Sequence, residues 1–200
     1  MRKVFSFIAG MLGVMIMILA SIAIPALNPA RFEKAMLNTV NRQAVGMSES
    51  DLTAFARDTM DYLCGETDAW QPQTPFAIPQ SFTEHMAEVR GWVDVLKMVL
   101  PAGLLICTAG LWRDFRAARS GMLCMLGLMD AMLLWAMVDF NSLWMVIHRV
   151  LIPGGIFPAG EPVMQLFPLA LFFGYIPAVL GWMAVGAGVA VLYYSIKTQR

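Results

Sequence analysis

The chain has 200 residues, a formal net charge of zero, 58% hydrophobic residues and only 14% charged ones. Its mean hydropathy is +0.64, whereas an ordinary soluble domain is roughly 45–50% apolar and about 25% charged. These values exclude a basic nucleic-acid footprint and point to an integral membrane protein. Seventeen methionines and six tryptophans fit lipid-facing and interfacial surfaces, although methionine also fills ordinary cores.

The first apolar run, residues 4–27, carries no charge and follows Arg2 and Lys3. Ala20, Ala23 and Ala26 offer the small residues of a cleavage site, but the run exceeds the roughly 7–15 residues of a signal-peptide core. It therefore reads as an uncleaved anchor. Residues 28–91 read as helical and ordered. Asn28 before Pro29 is an N-cap with proline at the first helical position, and Gly46 is the matching stop. Phe32, Met36, Val40 and Ala44 share the face between them.

Ser48 and Asp51 form a capping-box pattern for a second helix. Its inner face is Leu52, Phe55, Thr59 and Leu63, and Gly65 ends it. Pro72, Pro75 and Pro79, together with Trp70, mark a loop pressed against apolar neighbours. Ser81 and Glu84 repeat the capping-box spacing. No breaker intervenes before Pro101, so this helix should run straight into a second span, residues 92–112, with Asp94 and Lys97 in its first turns. A third span covers residues 121–140. The last apolar stretch, 163–194, is longer than the ~20 residues a bilayer needs. Pro168 should divide it into a surface or re-entrant piece and a true span, 171–194.

The expected architecture is thus an all-α membrane protein, a single domain over 1–200 with four transmembrane helices. Arg113, Arg116 and Arg119 crowd the connection between spans two and three, and Arg2, Lys3, Lys197 and Arg200 lie near the two ends. With four spans these regions share one side, and the positive-inside rule makes it cytoplasmic. Residues 28–91 then form a small helical extracytoplasmic cap, with 141–165 as a second outer loop.

Cys64 is the only outer cysteine, so the cap is expected to hold no internal disulfide. Cys107 and Cys124 lie near the inner ends of their spans and read as packing residues. Asp130 is the one carboxylate deep in hydrocarbon, a functional candidate by default. Without further ionisable residues at its depth, a neutral Asp130 hydrogen-bonded to another helix is the favoured reading.

The two histidines are the residues that invite chemistry. His85 lies about eight residues before the second span, and His148 about eight beyond the third, roughly 12 Å outside the boundary at about 1.5 Å per residue. Both therefore sit at one interface. Glu88 shares a helical face with His85 at i+3 and is suited to orient the imidazole as the second group beside a histidine base. Glu84 has the competing capping role. Packing at the interface is the competing reading for both histidines. Pro153-Gly154-Gly155 after His148 can present backbone N–H groups to an oxyanion or be an ordinary turn. With no Gly-x-Ser-x-Gly elbow, a serine-hydrolase triad is poorly supported.

The stretch His85-Met86-x-Glu88-Val89-Arg90 before a span resembles the His-Met-x-Asp-Val-Lys element of the bacterial lipoprotein intramolecular transacylases. The later stretch, from Phe140 through His148 to Glu161-x-Val163-Met164-x-x-Phe167-Pro168, resembles that family's second histidine segment. The likeness extends over essentially the whole chain. It departs at Glu88 for Asp, Arg90 for Lys, Phe157 for a tryptophan, Glu161 for Asp, and at Val150, Leu151 and Ile152 in place of aromatics.

The resemblance implies transfer of the sn-2 acyl chain of a diacylglyceryl-cysteine to the amine of that same N-terminal cysteine. It implies a multi-pass protein of the bacterial cytoplasmic membrane, a diacylated lipoprotein substrate, contact with membrane lipid, and no metal or other cofactor. His85 and His148 are then the catalytic pair, Glu88, Glu84 and Arg90 their supporting residues, and Trp144, Phe157 and Phe140 the pocket. Two alternatives remain at this point. One is a metal-dependent membrane hydrolase built on His85, Glu88 and His148; the other is a scaffold that binds lipid or lipoprotein without turnover.

Overall fold

The computed structural model describes residues 1–151, 157 and 160–198; the side chains at 133, 136, 140, 141, 144, 148, 187 and 189–198 are outside that description. Among the described residues, ten helices follow in chain order: α1 Arg2–Ala26, α2 Pro29–Thr39, α3 Arg42–Val45, α4 Glu49–Cys64, α5 Gln80–Arg113, α6 Phe115–Val138, α7 Phe140–Leu151, α8 Pro162–Leu166, α9 Leu169–Phe173 and α10 Ile176–Thr198. Among the described residues, α1 and α5 are long and apolar enough to cross a membrane. A pair of segments bent by 43°, Pro162–Phe173 and Ile176–Gly186, passes the same criterion as one broken span.

Helix α1 is the hub and packs against α5, α6 and α10. Lipid is as apolar as leucine, so helices in a bilayer associate through close packing of small residues. Ser6, Ala9 and Gly10 of α1 are buried, as is Ala118 of α6. A Cβ added at Gly10 would strike the carbonyl oxygen of Ala118, and one at Gly121 would strike that of Phe7. The two backbones are therefore in direct contact. The turn from α5 to α6 is the single residue Asp114, whose carboxylate caps α6 by accepting from the Ala117 N–H at 3.1 Å. The Arg2 guanidinium donates to the carbonyl of Arg113, a cation on a helix C-terminus. The start of α1 and the α5–α6 turn thus share one end of the bundle.

At the opposite end of α5, the helices α2 to α4, the loop after them and α8–α9 enclose an apolar cluster. Met36, Leu52, Phe55, Met60, Trp70, Phe82, Val163 and Leu166 are among its buried members. Local chemistry sets its boundaries. Asn28 caps α2 by accepting from the Arg31 N–H at 2.9 Å, and Pro29 opens it. Ser48 and Asp51 form a full capping box on α4, in which the Ser48 hydroxyl and N–H hold the Asp51 carboxyl below its ordinary value. Gly65 ends α4 at φ 90, left-handed backbone that glycine adopts without a Cβ clash.

Three boundaries differ from the sequence expectation. The helix opened by Pro29 does not run to Gly46: it breaks at Val40, and Asn41 caps the short α3 that Gly46 ends. That break shifts the register, so Val45 is buried and Ala44 exposed. The Ser81–Glu84 capping box does not form. Pro79, at φ −58 with the ring-fixed entry geometry, starts α5 at Gln80, and Glu84 accepts instead from the Gln80 side chain at 2.9 Å. Finally, Pro168 does divide the last apolar stretch, but a second break follows at Gly174–Tyr175. Pro177 explains it: proline has no N–H to give the Phe173 carbonyl, and its ring clashes there.

One buried polar contact fixes the loop of three prolines. Trp70, 3% exposed, donates its indole N–H to the Thr59 hydroxyl at 3.1 Å inside the cluster. Thr59→Val keeps the shape and strands that N–H. We expect about 1–3 kcal/mol of lost stability, seen as a lower denaturation midpoint of the purified protein.

Candidate active site

Helix α5 carries His85 on the part that projects into the cluster, one turn after its first residues. The imidazole is half-buried. It meets Phe82 edge-on at 5.6 Å between centroids and Phe157 at 5.5 Å. Phe82 in turn contacts Phe157 at 4.9 Å, Phe167 at 5.6 Å and Trp70 at 5.6 Å. The ring is therefore held between aromatic walls that limit its rotation.

Those walls bound a cavity of about 540 Å³, within the usual range of small-molecule sites. Its α5 side is Phe82, His85, Met86, Val89 and Val93, and Thr59 and Leu63 of α4 close one flank. The end of α1, with Ile22 and Ala26, and the α9–α10 break, with Leu171, Phe172 and Tyr175, add further walls, beside Phe32 of α2 and Met164 of α8. The lining is overwhelmingly apolar. His85 is its only described histidine, the residue type most often used as a general acid or base. Thr59 and Leu171 line the space although no motif marks them for it, whereas Phe167 belongs to the later segment that carries the family resemblance.

The other anticipated residues fall in different places. Glu88 is exposed on the next turn and has no hydrogen bond or ion pair among the described residues. Glu84 is occupied by Gln80. Arg90 points to the end of α4, donating to the Thr67 carbonyl at 2.6 Å and lying 4.8 Å over the Tyr62 ring. Lys97 acts beside it, donating to the Cys64 carbonyl at 2.9 Å and to Asp94 at 3.0 Å. Lys97 thus satisfies a carbonyl of the last turn of α4, where helices leave them unpaired, and Arg90 one in the loop just beyond it. This clamp fixes the two helices that wall the cavity. Cys64 itself is a partly buried free thiol, pushed up by burial and only partly offset by Lys97.

His148 belongs to α7, but its side chain and those of Trp144 and Phe140 lie outside the described residues, as does the Pro153-Gly154-Gly155 turn. Among the described residues, no three His, Cys, Asp or Glu side chains stand close enough to hold a metal ion. Asp130 is exposed on α6 and forms no hydrogen bond among them. Cys107 stands against Gly13 of α1, whereas Cys124 is exposed.

A family model described as lipoprotein intramolecular transacylase Lit matches residues 7–172. No curated protein sequence matches the chain. Among solved structures, the lipoprotein intramolecular transacylase Lit from Bacillus cereus superposes with a TM-score of 0.75 at 16% identity, covering 100% of this chain and 98% of that one. Two forms of the same Bacillus cereus protein with a substituted histidine give TM-scores of 0.72 and 0.73 at 17% identity, covering 94% and 96% of their chains. At such identities the likeness is one of fold.

Proposed function

The chain belongs to the lipoprotein intramolecular transacylase family and is an integral membrane acyltransferase, and on that premise we propose that it moves the sn-2 acyl chain of a diacylglyceryl-cysteine onto that cysteine's own amine. The product is a lyso-form lipoprotein. The observation that carries this reading is the setting of His85: a proton-exchanging ring in the wall of a cavity that is otherwise apolar. Acyl chains fill such a space, and the ester linking them to glycerol then lies beside the imidazole.

The nitrogen must lose two protons and the glyceryl oxygen must gain one. A base takes a proton from the cysteine ammonium, of pKa about 8, and the free amine attacks the sn-2 carbonyl carbon. The added nitrogen gives up its second proton to a base, the tetrahedral intermediate collapses with cleavage of the ester C–O bond, and an acid protonates the departing glyceryl oxygen. In this reading His85 and His148 divide the tasks of base and acid, and no acyl-enzyme forms. Nucleophile and ester belong to one molecule, so folding it into a compact ring supplies much of the rate through effective molarity. Glu88, at i+3 from His85, is the supporting carboxylate; Arg90 serves the α4 clamp, and Trp144, Phe140 and Phe157 shape the pocket.

The proposed topology has four spans, with both ends and the α5–α6 turn cytoplasmic. The apolar cluster then forms an extracytoplasmic cap that leaves the site at the membrane surface. Such a site suits a substrate whose chains stay in the bilayer while its peptide is outside. The test is to incubate purified protein with a synthetic diacylated lipopeptide and read the N-terminal fragment by mass spectrometry. An acylated α-amine supports the reading; an α-amine that stays free overturns it.

A further inference from the structure

Trp92 is two turns beyond His85 on α5, on the same face of the helix at i+7. Its indole N–H donates to the carbonyl of Leu151 at 2.7 Å. Leu151 is the last described residue of α7. His148 stands three residues earlier in α7, one turn back from that carbonyl. The hydrogen bond therefore ties the face of α5 that carries His85 to the helix that carries His148, across 59 residues of sequence. Trp92 is 41% exposed, too open for core filling to account for its placement.

We infer that Trp92 is a positioning residue for acyl transfer, a strut that sets the spacing between the helices bearing the two histidines. The inference rests on the two-histidine reading above. A base and an acid serving opposite ends of one tetrahedral intermediate must hold their separation closely, and a misplacement of about 1 Å can lower turnover by about 100-fold.

The experiment replaces Trp92 in the full-length protein with 3-benzothienylalanine, which keeps the bicyclic shape and puts sulfur in place of the N–H. Trp92→Phe serves as the second variant. Turnover of a diacylated lipopeptide, thermal melting and α5–α7 separation are measured together. The separation is read from spin labels at Ala87 and Val150, both exposed, in a background without the native cysteines. Expected are a kcat about 10- to 100-fold lower, little change in KM or melting temperature, and a longer or broader interspin distance. Wild-type kcat and distance in the benzothienyl variant overturn the inference. So does a parallel loss of melting temperature and kcat, which marks packing. If the wild-type protein itself transfers no acyl chain, the functional reading fails, while the interspin distance still decides whether Trp92 holds the two helices.

Discussion

His85→Ala is expected to lower acyl transfer by about 100- to 10,000-fold, the usual contribution of a positioned general acid or base. The protein should still fold. His85 is only half-buried, and the cluster beneath it rests on Phe55, Leu52, Met36 and Met60, all at most 1% exposed. The apolar cavity that takes the acyl chains keeps its other walls, so the loss should fall on kcat with KM little altered. That split separates a chemical role from an aromatic-packing role. A packing histidine would be replaced tolerably by phenylalanine, since its neighbours are Phe82 and Phe157. The account therefore expects His85→Phe to be as inactive as His85→Ala while melting at or above the wild-type temperature. Near-normal turnover in either variant would remove His85 from the mechanism.

The second large effect concerns folding. Gly10→Ala and Gly121→Ala each place a methyl group on a backbone carbonyl of the facing helix. A side chain in the way can rotate aside, whereas a carbonyl moves only with its helix. We expect each to cost about 3 kcal/mol, the upper part of the overpacking range, and to deplete folded protein in detergent. Gly91→Ala is the control. Nothing lies within 4 Å of a Cβ there, so it should be neutral or more stable by up to about 1 kcal/mol, the helix preference of alanine over glycine. Melting curves of the three variants decide the point. Equal behaviour of all three would mean that α1 and α6 are not held in backbone contact.

What could be read in the sequence was mostly local. The Asn28–Pro29 start, the Ser48–Asp51 box and the Gly65 stop each depend on residues a few positions apart, and each stands as expected. The long helix from the cluster into the second span was legible because nothing between Gln80 and Pro101 interrupts it. The break at Val40 is not legible, because Gly46 offers a plausible stop on its own. Pro177 was a visible breaker, but Pro168 had already accounted for the excess length.

The site divides in the same way. His85 and Glu88 are one turn apart and could be paired on paper. The cavity could not, because α1, α4, α5, α9 and α10 all contribute to it. The α4 clamp and the Trp92 strut were invisible for a different reason: Arg90, Lys97 and Trp92 all donate to backbone carbonyls. A carbonyl has no side-chain identity, so no motif records it as a partner.

The most direct test of the central claim follows the acyl chain itself. A lipopeptide carrying an isotopically heavy chain at sn-2 and a light chain at sn-1 is incubated with the purified protein, mixed with an equal amount of a copy whose peptide is heavy and whose chains are light. Mass spectrometry then reads which chain is on which amine. The heavy chain is expected on the amine of the light peptide alone, with glycerol keeping its sn-1 chain. A heavy chain on the heavy peptide, or released as free fatty acid with both amines unmodified, would contradict intramolecular transfer.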